Sequence, residues 1–350
     1  MRLVMFKIRF LLVFILPLSL FSRSALRSGI VNDPLIITNW VGDDKKSFLR
    51  DSHLEVFPFF HTFDEEHIQK NLLPSSSISF RNEPNKSVNG KEISEMIEHL
   101  IGEVRRRKRK FRDFICLKKR DFCRRKQAGL IVVKCKKYPF VVKLFMETPK
   151  SFVRPYQKGF EPACQFTIGG GATRHLVGFT RIKNVISIKE RIKNNHHWSK
   201  RIDVPRKWFW LPSRERRIKV TGKNIGGHKE ISTNLPSVYA IVADEIKAER
   251  TFSLWKGNDR RIAIDLSNFL LCRIDPHITN FMVEKETGLV VIIDTEHFPS
   301  LVGLKTRPRI TSYSSWYLRL VSKFMGNRFL RSKRDRKRLQ THPIPPFSLP

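Results

Sequence analysis

Residues 273–298 read RIDPHITNFMVEKETGLVVIIDTEHF. An unbroken apolar run, 289–293, ends in Asp294 and follows Phe281–Met282–Val283 across the turn-like EKETG. Two short β-forming runs separated by a glycine-containing turn read as an antiparallel hairpin. An apolar run without alternation reads as a buried strand. Such a hairpin constrains the rest of the chain, because other elements must cover it. It also carries Asp294 back beside Asn280, although the two are fourteen positions apart in sequence. Asp275 and His277 sit in the loop just before. A buried strand ending in a carboxylate, opposite a loop with Asp275 and Asn280, either holds a metal and a phosphate or is a polar turn. In the second case Asp275-Pro276 starts a helical turn and Asn280 caps it.

The segments upstream are ordered elements rather than linkers. LIVVKC and FVVKLFM, 130–135 and 140–146, flank the turn-like KKYP and predict a second hairpin. Alternation puts Val142 and Leu144 on one face and Val141, Lys143 and Phe145 on the other. Lys143 therefore shares a face with apolar neighbours; it either snorkels from an edge or serves an anion. TRIKNVISIKERIKNN predicts a helix with Ile182, Val185, Ile186 and Ile192 inward and Glu190 as its carboxylate. KWFWLP and SVYAIVADEI read as two further strands, with Trp208 and Trp210 as core, and RRIAIDLSNFLLC as a short buried helix. GKEISEMIEHLIGEV carries Ile93, Met96, Ile97, Leu100 and Ile101 at helical spacing. Gly169, Gly170 and Gly171 lie in FTIGGGATRHLVGF, which reads as a loop; no Gly-Lys-Ser/Thr follows, so it is not a P-loop.

Charge and the N-terminus bear on partners. The formal net charge is +35, from 67 Lys+Arg against 32 Asp+Glu. That excess favours nucleic acid, anionic lipid, acidic proteins or nucleotides without choosing among them. The run RRRKRKFRDFICLKKRDFCRRK, 105–126, is either a polyanion-binding stripe or a solvated cationic face. The first 25 residues have a basic start, an apolar centre of about a dozen residues containing Pro17, and small residues near Ala25. This predicts a secretory signal peptide and export, with a membrane anchor over 10–21 as the alternative. The five cysteines are an odd number without metal-ligand spacing and read as core or incidental.

Together, DPHITN and GLVVIIDTEHF resemble the catalytic and metal-binding loops of the protein-kinase-like superfamily. The Asp-x-His-x-x-Asn form is similar to phosphoinositide-kinase loops, and the IDTE ending to aminoglycoside and choline kinases. The resemblance implies ATP and Mg2+ as cofactors and a phosphotransferase activity. It implies Asp275 as catalytic carboxylate, His277 as its helper near the γ-phosphate, and Asn280 and Asp294 as magnesium ligands. It further implies Lys143 as the lysine on nucleotide phosphates, Glu190 as its helix partner, and residues 239–246 as the strand entering the adenine-holding hinge. The chain departs from the pattern where KKRDFCRRKQAG offers a single glycine between the first strands, and where DTE replaces Asp-Phe-Gly.

The expected fold is α+β and two-lobed: a small antiparallel sheet plus helix, then a mainly helical lobe bearing the hairpin. Boundaries are expected at 1–25 for the signal peptide, 26–104 for an N-terminal extension, and 105–250 for the first lobe. A reduced second lobe would span 251–328 and a basic, proline-rich disordered tail 329–350. Two alternatives stay open: a pseudokinase-like binding protein, and a basic protein of nucleic acid or anionic membranes without nucleotide chemistry.

Overall fold

The computed structural model describes residues 35–40, 63–118, 122–148, 172–214, 216–223, 230–271, 273–296 and 310–314. The expected signal peptide, the 169–171 glycines, Cys164, Cys272, His297 and the tail lie outside these residues. What is described is α+β, built on antiparallel sheets. Among the described residues, no helix is long and apolar enough to cross a membrane.

The largest sheet has the order β4 (Phe114–Lys118), β6 (Ala128–Cys135), β7 (Phe140–Met146), β12 (Val238–Asp244) and β9 (Lys207–Trp210), with β5 (Phe122–Cys123) paired to β6. The expected hairpin is β6–β7, antiparallel, with Val132 opposite Lys143. Val142 and Leu144 point away from Lys143, into a core against α2 (Gly90–Arg105). That helix forms where the apolar stripe places it. Asn89 caps it by accepting from the Lys91 amide, and Ile93, Ile97, Leu100, Ile101 and Val104 are buried. Each such side chain contributes about 1.5–3 kcal/mol on burial. Gly90 is required at its start, because a Cβ there would lie 1.7 Å from the Pro74 carbonyl oxygen.

The other face of the sheet, bearing Lys143, Phe145, Tyr239 and Lys207, is covered by α3 (Ala172–Gly178) and α4 (Thr180–Lys193). The stretch 172–178, expected as loop, is helical. Helix α4 buries Ile182, Val185, Ile188 and Ile192, whereas Ile186 is exposed. The expected stripe was out of phase at that position, since i, i+3 and i+6 select Ile188.

A second sheet has the order β13 (Ala248–Thr251), β14 (Phe281–Glu284), β15 (Val290–Ile292) and β8 (Ile202–Asp203). The hairpin around EKETG is thus β14–β15, with Phe281 opposite Ile292. Its apolar run lies between two strands from elsewhere: β13 is antiparallel to β14, and β8 parallel to β15. Among the described residues of 251–296, α6 (Gly257–Phe269) accompanies this hairpin. Strands β1 (Leu35–Trp40), β10 (Arg217–Lys223) and β11 (Glu230–Pro236) form a third sheet, and β2 (Ser77–Ser79) with β3 (Ser87–Asn89) a two-stranded one.

The boundary expected at residue 104 is not a division of the fold. Helix α2 shares the core of the large sheet, and Leu73 and Asn71 exchange backbone hydrogen bonds with Phe209. Arg81, just after β2, reaches Asp203 at 2.5 Å and Glu284 at 3.0 Å, so it grips the second sheet. The reason is compositional. The segment carries its own amphipathic helix, whose stripe must bury somewhere, and the large sheet presents a free apolar face.

Candidate functional site

The loop 275–280 is shaped by its own residues. Proline at 276 restricts Asp275 to extended conformations. The Asp275 carboxylate accepts from the His277 amide at 2.9 Å, and a 3-10 turn, Ile278–Asn280, follows. Asn280 donates from Nδ2 to the Asp275 carbonyl at 3.1 Å, which commits the nitrogen and leaves Oδ1 with its lone pairs to offer. The Asn280 carbonyl accepts from the Ile293 amide at 3.0 Å. That bond continues the β14–β15 ladder and sets Asp294 beside the loop.

Lys143 comes to the same place from the other sheet. Its Nζ lies 3.2 Å from Asp294 Oδ2. Asp294 Oδ1 is held by Arg181, whose second nitrogen pairs with Glu296. Arg181 is fully buried and extends from the first turn of α4. Lys207, also buried, donates to Thr295 Oγ1 at 2.6 Å and to the Ile293 carbonyl at 3.2 Å. Thr295 in turn donates to the Arg181 carbonyl at 2.9 Å. Asn184, one turn along α4, donates to the carbonyls of Arg273 and Thr295 at 2.9 and 3.0 Å, so one side chain ties both acidic loops to the helix.

An aromatic stack seats α4. Tyr239 lies between Phe145, 4.6 Å away and parallel, and Phe179, 4.3 Å away. Its hydroxyl donates to the His175 carbonyl. Gly178 makes room for it, since a Cβ there would lie 1.9 Å from the Tyr239 hydroxyl. The Arg181 guanidinium sits 5.7 Å from the Phe145 ring.

The electrostatics drive the two acids in opposite directions. Burial raises the Asp275 carboxyl to about 8, and Glu296 and Asp294 add to this against the opposing His277 amide. Burial would also raise Asp294, but Arg181, Lys143 and Lys207 override it and hold that carboxyl far below the usual range. Burial and Arg181 lower Lys143 to about 8, although Asp294 opposes them. Burial, then Lys143, pushes Lys207 well below an ordinary lysine. Burial and nearby Lys118 lower His277.

Four of the six residues singled out in the sequence, Lys143, Asp275, Asn280 and Asp294, converge here; His277 brings its backbone amide to Asp275, while its ring meets Thr279 Oγ1 at 2.8 Å. Glu190 does not: it is exposed and lines a cavity of about 430 Å³ with Ser187, Arg191, Asn194 and Phe269. The helix meets Lys143 and Asp294 with a cation, Arg181, in place of the expected carboxylate. Glu296, the acid that closes IDTE, is buried and paired. Arg181, Asn184 and Lys207 were missed. Their signal was polar residues in the buried phase, Arg181 and Asn184 three apart on a helix and Lys207 two before Phe209 on a strand. Segment 239–246 runs from the core into the crossing between sheets, where β12 ends at Asp244 and the chain reaches β13 at Ala248.

No protein-family model, curated protein or solved structure matches the chain.

Proposed function

We propose that the chain is a protein-kinase-like phosphotransferase of two lobes that uses ATP and Mg2+. The observation that carries this is the meeting of Lys143, from one sheet, with Asp294, from the end of the other, beside Asp275 and Asn280. Four groups from three separated segments form one cluster of the kind phosphoryl transfer asks for: positioned charge and one proton acceptor.

The donor set fits magnesium. Asp294 Oδ and Asn280 Oδ1 are hard oxygens of the kind magnesium takes. One or two protein oxygens, completed by phosphate and water, is how magnesium is usually held. Bound ATP supplies the transferable phosphoryl group, and magnesium neutralises its charge. Lys143 would give up part of its contact with Asp294 to hold nucleotide phosphate. In its ionised form, the minor one at pH 7 for a carboxyl raised to about 8, Asp275 would take the proton of an acceptor hydroxyl as the hydroxyl oxygen bonds phosphorus and the bond to ADP breaks. His277 would donate or accept beside it, and residues 239–246 would hold the base. Glu190 has no part in this reading. The basic surface suits an acidic acceptor or polyanion, and the N-terminal segment adds export to the proposal.

The test is Mg2+-dependent ATP binding by the purified protein, Lys143→Ala and Asp294→Ala. Affinity should drop at least about tenfold in each variant; unchanged affinity in both would sink the assigned site. A second reading, a binding protein that does not turn over, is favoured by the pairing of Asp294 with two protein cations. Hydrolysis that is lost in Asp275→Asn with ATP binding intact selects the enzyme.

A further inference from the structure

Arg181 stands where the resemblance would put only acids and their metal. Both oxygens of Asp294 already face protein cations, Oδ1 the Arg181 guanidinium and Oδ2 the Lys143 ammonium. Glu296, the other acid after β15, is engaged by the second nitrogen of the same guanidinium. Arg181 has nowhere to withdraw. It is fully buried, and its helix is seated by the Phe179–Tyr239–Phe145 stack and by Asn184 on both acidic loops. Pulling it away would leave the buried Glu296 carboxylate and the guanidinium unpaired, and Asp294 with Lys143 alone, which a core tolerates badly. A site that gathers two divalent ions needs its acids uncommitted, because the metal repays its own dehydration with their charge. Here that charge is met before any metal arrives.

We infer that Arg181 is a built-in cation that takes the place of one divalent ion, so that the site binds no divalent cation alone and accepts a nucleotide polyphosphate with at most one. The nucleotide half rests on the phosphotransferase reading; the metal half does not.

The experiment titrates Mn2+, as a spectroscopic probe, into the nucleotide-free full-length protein and its Arg181→Gln and Arg181→Lys variants. Wild type should show no site tighter than about 1 mM. Arg181→Gln should bind Mn2+ at least about tenfold more tightly and be thermally stabilised by it. Arg181→Lys should behave as wild type. Micromolar Mn2+ binding by wild type overturns the inference, and so does a folded Gln variant without the gain. A Gln variant that folds only when refolded with Mn2+ supports it, and if that variant folds under no condition the wild-type titration decides. Chelating all metal should weaken ATP binding to wild type by no more than about tenfold, and a loss beyond about 100-fold overturns the substitution. A wild type that binds no ATP at all counts against the phosphotransferase reading, while the Mn2+ titrations still decide the role of Arg181.

Discussion

Asp275 is a carboxyl that the fold holds protonated near neutral pH. Its folded pKa of about 8 lies above the ordinary value, so between roughly pH 4 and 8 the folded state binds more protons than the unfolded one. Its contribution is therefore full at low pH and lost as pH rises through 8. Asp275→Asn removes that dependence. Its stability advantage over wild type should widen from pH 4 to 8, by up to about 1.4 kcal/mol per pH unit, and stay level above. Urea unfolding across that range checks it, and a constant gap would remove the buried-acid argument. The same variant should lose about 10²–10⁴-fold in turnover. Acidic and amide residues at chemical spacing made Asp275, Asn280 and Asp294 legible in the sequence. Arg181 and Lys207 were not, because a buried cation looks like a surface one until the acid it neutralises is placed in space.

The α3–α4 corner decides where that cation lands. Gly178→Ala drives a methyl into the Tyr239 hydroxyl and the Phe145 ring. It should cost about 1–3 kcal/mol and shift the start of α4. Tyr239→Phe removes the atom that is hit, so the double variant should be less destabilised than the sum of the two single ones. Thermal melts of the four proteins settle this, and strict additivity would disconnect Gly178 from the stack. The elements readable from period and turn chemistry were β6–β7, β9, β12, α2, α6 and the β14–β15 hairpin. Helix α3 was masked by the glycines before it, and the phase of α4 by Ile186, an apolar residue that faces solvent.

Across residues 63–296, Arg81 joins the N-terminal segment to the second sheet. Glu284, fully buried, receives Arg81 and Asn82, and Arg81 also reaches Asp203. Arg81→Ala leaves that buried carboxylate without its cation, with only Asn82 and Thr287 donating, and should cost about 3–5 kcal/mol, whereas replacing Arg81 and Glu284 together by methionine should recover most of it. Denaturant titrations of the single and double variants are the check. Burial would raise the Glu284 carboxyl, but Arg81, Thr287 and Asn82 hold it below its ordinary value. The contribution is thus present above about pH 4 and lost as pH falls through the folded value. Sequence could not foresee this link, since charge partners two hundred positions apart leave no local pattern.

Strand β8 pairs in parallel with β15, Ile202 beside Val290. On the ribosome, then, a strand made early waits for a partner roughly 90 residues away. At about 5–20 residues per second that is several seconds, during which the upstream sheet can fold but the acidic loops have no frame. A nascent chain stalled after β12 should hold the Lys143 sheet alone, and the candidate site would be among the last parts of residues 63–296 to assemble.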